Sequence, residues 1–429
     1  MKQIKPRVIV LQLVARRFYA VPIILNRSGL LAQLFTGTFF RQVRWINYLG
    51  RLLPFMKGTV IFKNFFKRTA ELPGNKVTSY NLLGLQFRLA LRKKTTDKYY
   101  ISKVYKKYLA SFQKKAAPSK YFKKGNIVYS FYGASEIIFE SAKSKGCYCV
   151  LDHMSAPIRV QSKIFKEEIE HWNGWQTGGM FYWDEAEFNT RESREWELAD
   201  AIIAPSEFIR NTLIDSGIDF EKIFVIPYGT SPKSYFTRER NFDGRRPLKL
   251  LFVGSVSLGK GVPYLLEALK EIGPKIAHTR LVGKVMISGK KLAQYQDVIE
   301  LVGPIPHSEI VHQYQWADVF VFPSLCEGSA AVTYEARANG LPMIVTTNSG
   351  ANVKNGVDGY IVRIRNSTAL AEAIKKFIDN PPLVRKMSQA AIVNAKDYTW
   401  EEYQRRLTEF IYMLPQPKKR LRVRNAPGY

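Results

Sequence analysis

The sequence predicts an α/β protein built from two Rossmann-like, doubly wound domains. Three observations predict it. The length of 429 residues is enough for two separate cores. Short apolar, β-branched runs alternate with helix-period segments through the second half, the pattern of parallel strands covered on both faces. A polar stretch with glycine and proline, 241–247 (Asn-Phe-Asp-Gly-Arg-Arg-Pro), separates two apolar strands and reads as a linker. The expected division is a domain over 1–240, the linker, a second domain over 248–397, a final helix over 398–414 and a basic tail over 415–429.

The first element is a buried strand within 8–15, an eight-residue apolar stretch with one glutamine that Arg16 and Arg17 stop. It is too short for a secretory segment or a spanning helix, so a cytoplasmic protein is expected. Residues 126–133 and 147–154 read as two later parallel strands, and 198–206 and 222–229 as the last before the linker. In the second half, 248–254 is a strand, 255–261 a glycine-bearing loop and 262–272 an apolar-periodic helix. Residues 318–323 (Asp-Val-Phe-Val-Phe-Pro) form another strand. Gly328 and Ser329 then give a tight turn into a helix over 330–339 that Gly340 stops. Three cysteines rule out a disulfide framework, and no cluster has the spacing of zinc ligands. Cys147 and Cys149 alternate on a strand and read as packing, as does Cys326.

Charge is strongly asymmetric. Residues 1–125 hold 27 of the 65 Lys and Arg but only two acids, Glu71 and Asp97, a net of +25; the remainder carries +4. The bases alternate with aromatics over 39–48 and 62–68. Such segments suit an anionic bilayer surface, where each nearby base adds about 1 kcal/mol. They would also suit nucleic acid or a plain solvated face. No nucleic-acid-binding motif is present, so the membrane surface is preferred over nucleic acid.

Glu327 and Glu335, eight residues apart, flank the turn into the helix over 330–339. If all eight steps were helical, they would be about 12 Å apart. That exceeds the roughly 5 to 9.5 Å between the paired carboxylates of glycosidases. Small residues between them, Ser329, Ala330 and Ala331, leave backbone N–H groups open at a helix N-terminus, where an anion is favoured. Acceptors at both ends and donors in the middle suit a nucleotide sugar. The bland alternative is two solvated, helix-favouring glutamates.

This stretch resembles the Glu-x7-Glu signature of retaining GT-B glycosyltransferases of family 4, the group that includes sucrose and glycogen synthases. Similar segments run from about 190 to 415. The resemblance implies two Rossmann-like domains facing a cleft, with the nucleotide-sugar donor as substrate and neither metal nor cofactor. It implies that Glu335 holds the ribose, that Glu327 contacts the donor sugar and that Ile305 lies near the base. Gly254, Ser255 and Lys260 fall on its diphosphate loop, with Gly328, Ser329, Ala330 and Ala331 facing the same group. His153 matches a histidine near the donor sugar. The other four histidines, His171, His278, His307 and His312, are assigned no chemistry. Ser255 and Gly259 depart from the pattern, which usually has arginines there. The acceptor is expected to be a glycan or lipid-linked hydroxyl, with the first domain binding it. A non-catalytic nucleotide-sugar-binding protein and, from charge alone, a nucleic-acid-binding protein remain as alternatives. The oligomeric state is not readable from the sequence.

Overall fold

The computed structural model describes residues 5–39, 71–93, 97–177, 184–230 and 239–414. The aromatic–basic stretches over 39–48 and 62–68, Phe39 apart, and the tail over 415–429 lie outside these residues.

The two parallel sheets expected from the sequence are present. The first has seven strands in the order β3-β2-β1-β4-β5-β6-β7. These are β1 Val8–Gln12, β2 Leu31–Thr36, β3 Val77–Ser79, β4 Ile127–Phe131, β5 Tyr148–Asp152, β6 Ala201–Ala204 and β7 Ile223–Val225. Side chains alternate between two cores. Ile9, Leu11, Val128, Cys149, Leu151 and Ile202 face one side; Val8, Val10, Ile127, Tyr129, Val150 and Ile203 face the other. Helices cover both faces, which is why these strands read as continuous apolar runs.

The second sheet has six strands in the order β10-β9-β8-β11-β12-β13. They are β8 Leu248–Val253, β9 Ala277–Val282, β10 Ile299–Gly303, β11 Val319–Phe322, β12 Met343–Thr346 and β13 Gly359–Val362. Each sheet has a point where strand order reverses: between β1 and β4 in the first, between β8 and β11 in the second. Crevices in doubly wound sheets open at the carboxyl ends of strands at such points.

The segment 241–247 is not a free tether. Phe242 is buried in the second core, and the Arg240 guanidinium donates to the carbonyls of Gln315 and Asn339, 2.7 Å each. Arg246 forms a two-pronged ion pair with Asp318, at 2.7 and 2.8 Å. Most of the other residues in this segment are exposed, so it is anchored at Phe242 and Arg246 and solvated elsewhere. The last helix, Trp400–Met413, places Tyr403, Leu407, Phe410 and Ile411 in the first domain's core beside Val8 and Tyr129.

The helix Ile158–His171 spans the seam between domains. Its Ile164, with Trp175 beyond it, is buried in the second core. Its Glu168, 1% exposed, accepts from the Tyr264 hydroxyl at 3.1 Å and from Arg365 Nε at 2.6 Å. No helix among the described residues is long and apolar enough to cross a membrane.

Candidate functional site

The second-sheet crevice is built by two loops. β8 ends at Val253, and the chain continues through Gly254, Ser255 and the buried Val256 to a single 3-10 turn, Leu258–Lys260. Gly261 follows at φ +66°, and a β-carbon there would lie 2.0 Å from the Pro323 carbonyl oxygen. Only glycine lets this turn lie against the end of β11. The helix Val262–Ile272 starts immediately after. Gly259 is buried, and its carbonyl accepts the Leu325 N–H at 3.1 Å, locking one loop to the other. An arginine side chain at that position would have to leave a buried seam.

Lys260 is thereby aimed at Glu327, and the two form an ion pair. The ammonium also lies 5.4 Å from the centre of the Phe322 ring. Burial pushes Lys260 down to about 8. Glu327 itself is positioned by its N–H, which donates to Asn348 O at 2.9 Å. Gly328 comes next, pressed against the other domain. Its carbonyl accepts from Ser206 Oγ at 2.7 Å, and a β-carbon on it would lie 1.8 Å from Met154 O. Ser329 is largely buried, with its hydroxyl 2.7 Å from that of Tyr334. Ala330 caps the helix Ala331–Ala338 without a capping side chain. The first N–H groups of that helix therefore lack the usual Ser, Thr or Asp acceptor.

Glu335 lies farther along this helix, in a separate cavity of about 190 Å³ lined by His307, Ile310, Val311, Tyr314 and Asn339. The Tyr314 hydroxyl donates to one carboxylate oxygen at 2.9 Å, and His307 Nε2 lies 3.3 Å from the other. Burial, followed by the Glu335 charge, pushes the Tyr314 hydroxyl well above its ordinary range, so it remains a donor. Ile305 packs on the edge of the second core, two residues before His307. Sequence reading passed over both partners of Glu335. His307 stands alone in the sequence, and Tyr314 carries no motif; only the folded chain brings them together.

His153 lies elsewhere. It follows β5 and is fully buried, with Nδ1 2.7 Å from Ser155 O and Nε2 3.3 Å from Glu192 Oε1. Tyr132 and Trp196 flank the ring. In this conformation neither ring nitrogen opens to the cleft; Met154 and Ser155 line it instead. Glu192 and Glu195, on the helix Glu185–Leu198, are also fully buried. Glu195 accepts N–H groups from Gly133 and Ser135 at 2.5 and 2.6 Å, and burial pushes its carboxyl up to about 8. They had no signal in the sequence, where no motif singles out either glutamate.

The first-sheet crevice holds a cavity of about 160 Å³. The ends of β1 and β4 line it, with Leu11, Gln12, Leu13, Arg16, Phe131 and Tyr132; Met154 and Ser155 close it toward the seam. The three cysteines are unpaired thiols; Cys147 and Cys149 are buried in the first core, and burial pushes Cys326 up to about 12.

Residues 247–380 match the family model described as Glycosyl transferases group 1. The chain is 31% identical over 204 residues to the capsular polysaccharide biosynthesis glycosyltransferase CapM of Staphylococcus aureus, covering 43% of this chain and 54% of the relative. It is 28% identical over 204 residues to D-inositol 3-phosphate glycosyltransferase of Pseudarthrobacter chlorophenolicus, covering 43% and 48%. It thus spans about half the length of these curated relatives. Among solved structures, Anabaena Alr3699/HepE in complex with UDP superposes with a TM-score of 0.59 at 15% identity, over 94% of this chain and 99% of that one. The chain is a two-domain α/β protein of the GT-B fold whose second domain carries the Glycosyl transferases group 1 match.

Proposed function

We propose that the protein is a retaining, metal-independent glycosyltransferase that moves a sugar from a nucleotide-sugar donor to an acceptor hydroxyl. The observation that carries this reading is the Lys260–Glu327 ion pair at the second-sheet switch point, on the same loop–helix unit as Glu335. Glu335 would hold the ribose hydroxyls, its carboxylate aligned by Tyr314 and His307. Lys260 and the uncapped N–H groups over 329–331 would take the diphosphate, where a compact cation stabilises the negative charge that grows on the leaving group. Glu327 would contact the donor sugar and, before donor arrives, hold Lys260 in place. The acceptor oxygen attacks the anomeric carbon from the leaving-group side. The carbon–phosphate-oxygen bond breaks as the new bond forms, and the departing diphosphate takes the hydroxyl proton. His153, enclosed as it is, would shape the floor of the site through Ser155 rather than touch the sugar.

The superposed HepE structure contains UDP, so uridine nucleotides are the first donors to test. One curated relative is named for D-inositol 3-phosphate and the other for capsular polysaccharide biosynthesis, so acceptor identity is not carried over. The basic first domain favours a glycan or lipid-linked acceptor at an anionic membrane surface on the cytoplasmic side. Co-sedimentation with anionic liposomes at low salt tests this; protein remaining in the supernatant would remove it. Thermal-shift measurement against a panel of nucleotide sugars, followed by transfer assays with a chelator present, tests the main reading. Binding without transfer or slow hydrolysis would instead favour a non-catalytic nucleotide-sugar-binding protein, consistent with Ser255 and Gly259 in place of the usual arginines.

A further inference from the structure

Two polar side chains at the first-sheet crevice are left without suitable partners. Gln12 ends β1 and is 2% exposed, yet neither its amide oxygen nor its amide nitrogen has a hydrogen-bond partner among the described residues. A bare buried amide is costly, and a bound ligand would recover that cost. Arg16 is the second. Its Nη1 lies 3.0 Å from Met154 Sδ, a weak acceptor, and its guanidinium stands 5.1 Å from the centre of the Phe131 ring. No carboxylate pairs with it among the described residues, whereas Arg246, Arg280 and Arg365 all have one. Both residues line the cavity of about 160 Å³. The backbone of Met154, beside Arg16, also abuts Gly328 of the Lys260–Glu327 site. The Arg16 guanidinium therefore faces the seam across which a donor sugar would be handed over.

We infer that this cavity takes a phosphate-bearing acceptor. Arg16 grips the phosphate, and Gln12 hydrogen-bonds a hydroxyl of the group that carries it. A planar guanidinium presents forked N–H donors that match two phosphate oxygens. The aromatic and aliphatic walls exclude water and strengthen that contact. A neutral sugar could satisfy Gln12 but would leave Arg16 as it stands. The acceptor phosphate itself is not cleaved: the new bond joins its hydroxyl oxygen to the anomeric carbon, and the proton leaves with the donor diphosphate. The inference rests on the glycosyltransferase reading and names its acceptor class.

The test uses full-length protein saturated with UDP, so that the donor's diphosphate site is filled. Calorimetric titration compares inorganic phosphate, a hexose 1-phosphate and the unphosphorylated hexose. Wild-type protein is expected to bind the sugar phosphate at least tenfold more tightly than the sugar. Arg16→Gln should bring the two within about twofold. Gln12→Leu should weaken the sugar phosphate severalfold while keeping the preference. Circular dichroism and UDP affinity check that each variant is folded. A second arm sediments neutral phosphatidylcholine vesicles with and without a polyprenyl diphosphate-linked hexose, which carries both phosphate and sugar hydroxyls. An Arg16-dependent gain in binding assigns a lipid source, and sugar-phosphate binding without that gain assigns a soluble one. If UDP binds but the sugar and its phosphate bind equally, the acceptor assignment falls alone. The same holds if no phosphate probe binds, or if the preference survives Arg16→Gln. If wild-type protein does not bind UDP, the donor reading falls and takes this inference with it.

Discussion

The two crevices occupy equivalent places in equivalent sheets, yet they are lined with different chemistry. Along the loops and helix that follow β8 and β11, charge dominates and the charged groups named above have protein partners: Lys260 with Glu327, and Glu335 with Tyr314 and His307. At the β1–β4 switch point the walls are aromatic and aliphatic; among the described residues the Gln12 amide has no hydrogen-bond partner and Arg16 reaches only the Met154 sulfur and the Phe131 ring. Strand order decides where a crevice opens; the loops that follow decide what it can hold. A site with self-satisfied charges can stay intact while empty. A site with unsatisfied ones is shaped for something it does not supply.

The contact that joins the two crevices should be the most sensitive point. Gly328→Val places side-chain atoms where Met154 O now sits, forcing the domains apart. Transfer should fall by about 100-fold or more, since misplacing reacting groups by about 1 Å costs that much. Small-angle scattering should show a larger radius of gyration while circular dichroism shows unchanged secondary structure. Unchanged transfer with an unchanged radius would mean that the seam does not govern activity.

Lys260→Ala should slow transfer by about 10²–10³-fold, the usual scale for losing one preorganised charge-stabilising donor. Because burial holds Lys260 near 8, the rate should decline as pH rises through about 8 and the ammonium deprotonates. Lys260→Arg should abolish that decline even if its overall rate is low; a pH profile with the same alkaline limb in the variant would assign the titration elsewhere.

Glu335→Gln should weaken UDP binding by about 10- to 100-fold, from about 1.5–3 kcal/mol for a charged hydrogen bond. Tyr314→Phe leaves the carboxylate in place but frees one oxygen, so a loss of about fivefold is expected, near 1 kcal/mol. Titration calorimetry separates the two. Equal losses would make Tyr314 a direct ligand contact rather than a support.

In the first domain, the effect expected is on stability. Glu195 has a folded-state pKa raised to about 8 from an ordinary 4.5, so the folded state holds the proton more tightly. Its contribution is fully present below about 4.5 and is lost as pH rises through about 8. The difference in melting temperature between wild type and Glu195→Gln should therefore change steadily between pH 5 and 8.5. A constant difference would show that Glu195 is ionised throughout.

The second domain was the more legible half for a physical reason. Its candidate groups sit on contiguous strand–turn–helix units, so 248–261 and 318–339 each carry a strand, a turn and a charged residue in one short reading frame. The sheet class was legible throughout, because β1, β4, β5, β8 and β11 are all apolar runs buried on both faces. The first domain's site is assembled from distant pieces. Arg16 meets Met154 across 138 positions, and His153 meets Glu192 from a separate helix. The supports of Glu335 were hidden for the same reason, since Tyr314 reaches it from a different helix. Local patterns reveal elements, whereas partners that converge only on folding leave no local trace.

The return of the final helix has a practical consequence. The chain passes from the first domain to the second near 226–247 and comes back near 395–400, so neither domain is a single uninterrupted stretch of chain. A fragment ending at 230 would lack Tyr403, Leu407, Phe410 and Ile411 and would expose the face of its sheet that they cover. A fragment starting at 239 would carry those apolar residues with nothing to cover them. Dissecting the molecule into separately expressed halves therefore requires grafting 400–414 back onto the first half, or producing both pieces together so that the helix can dock in trans.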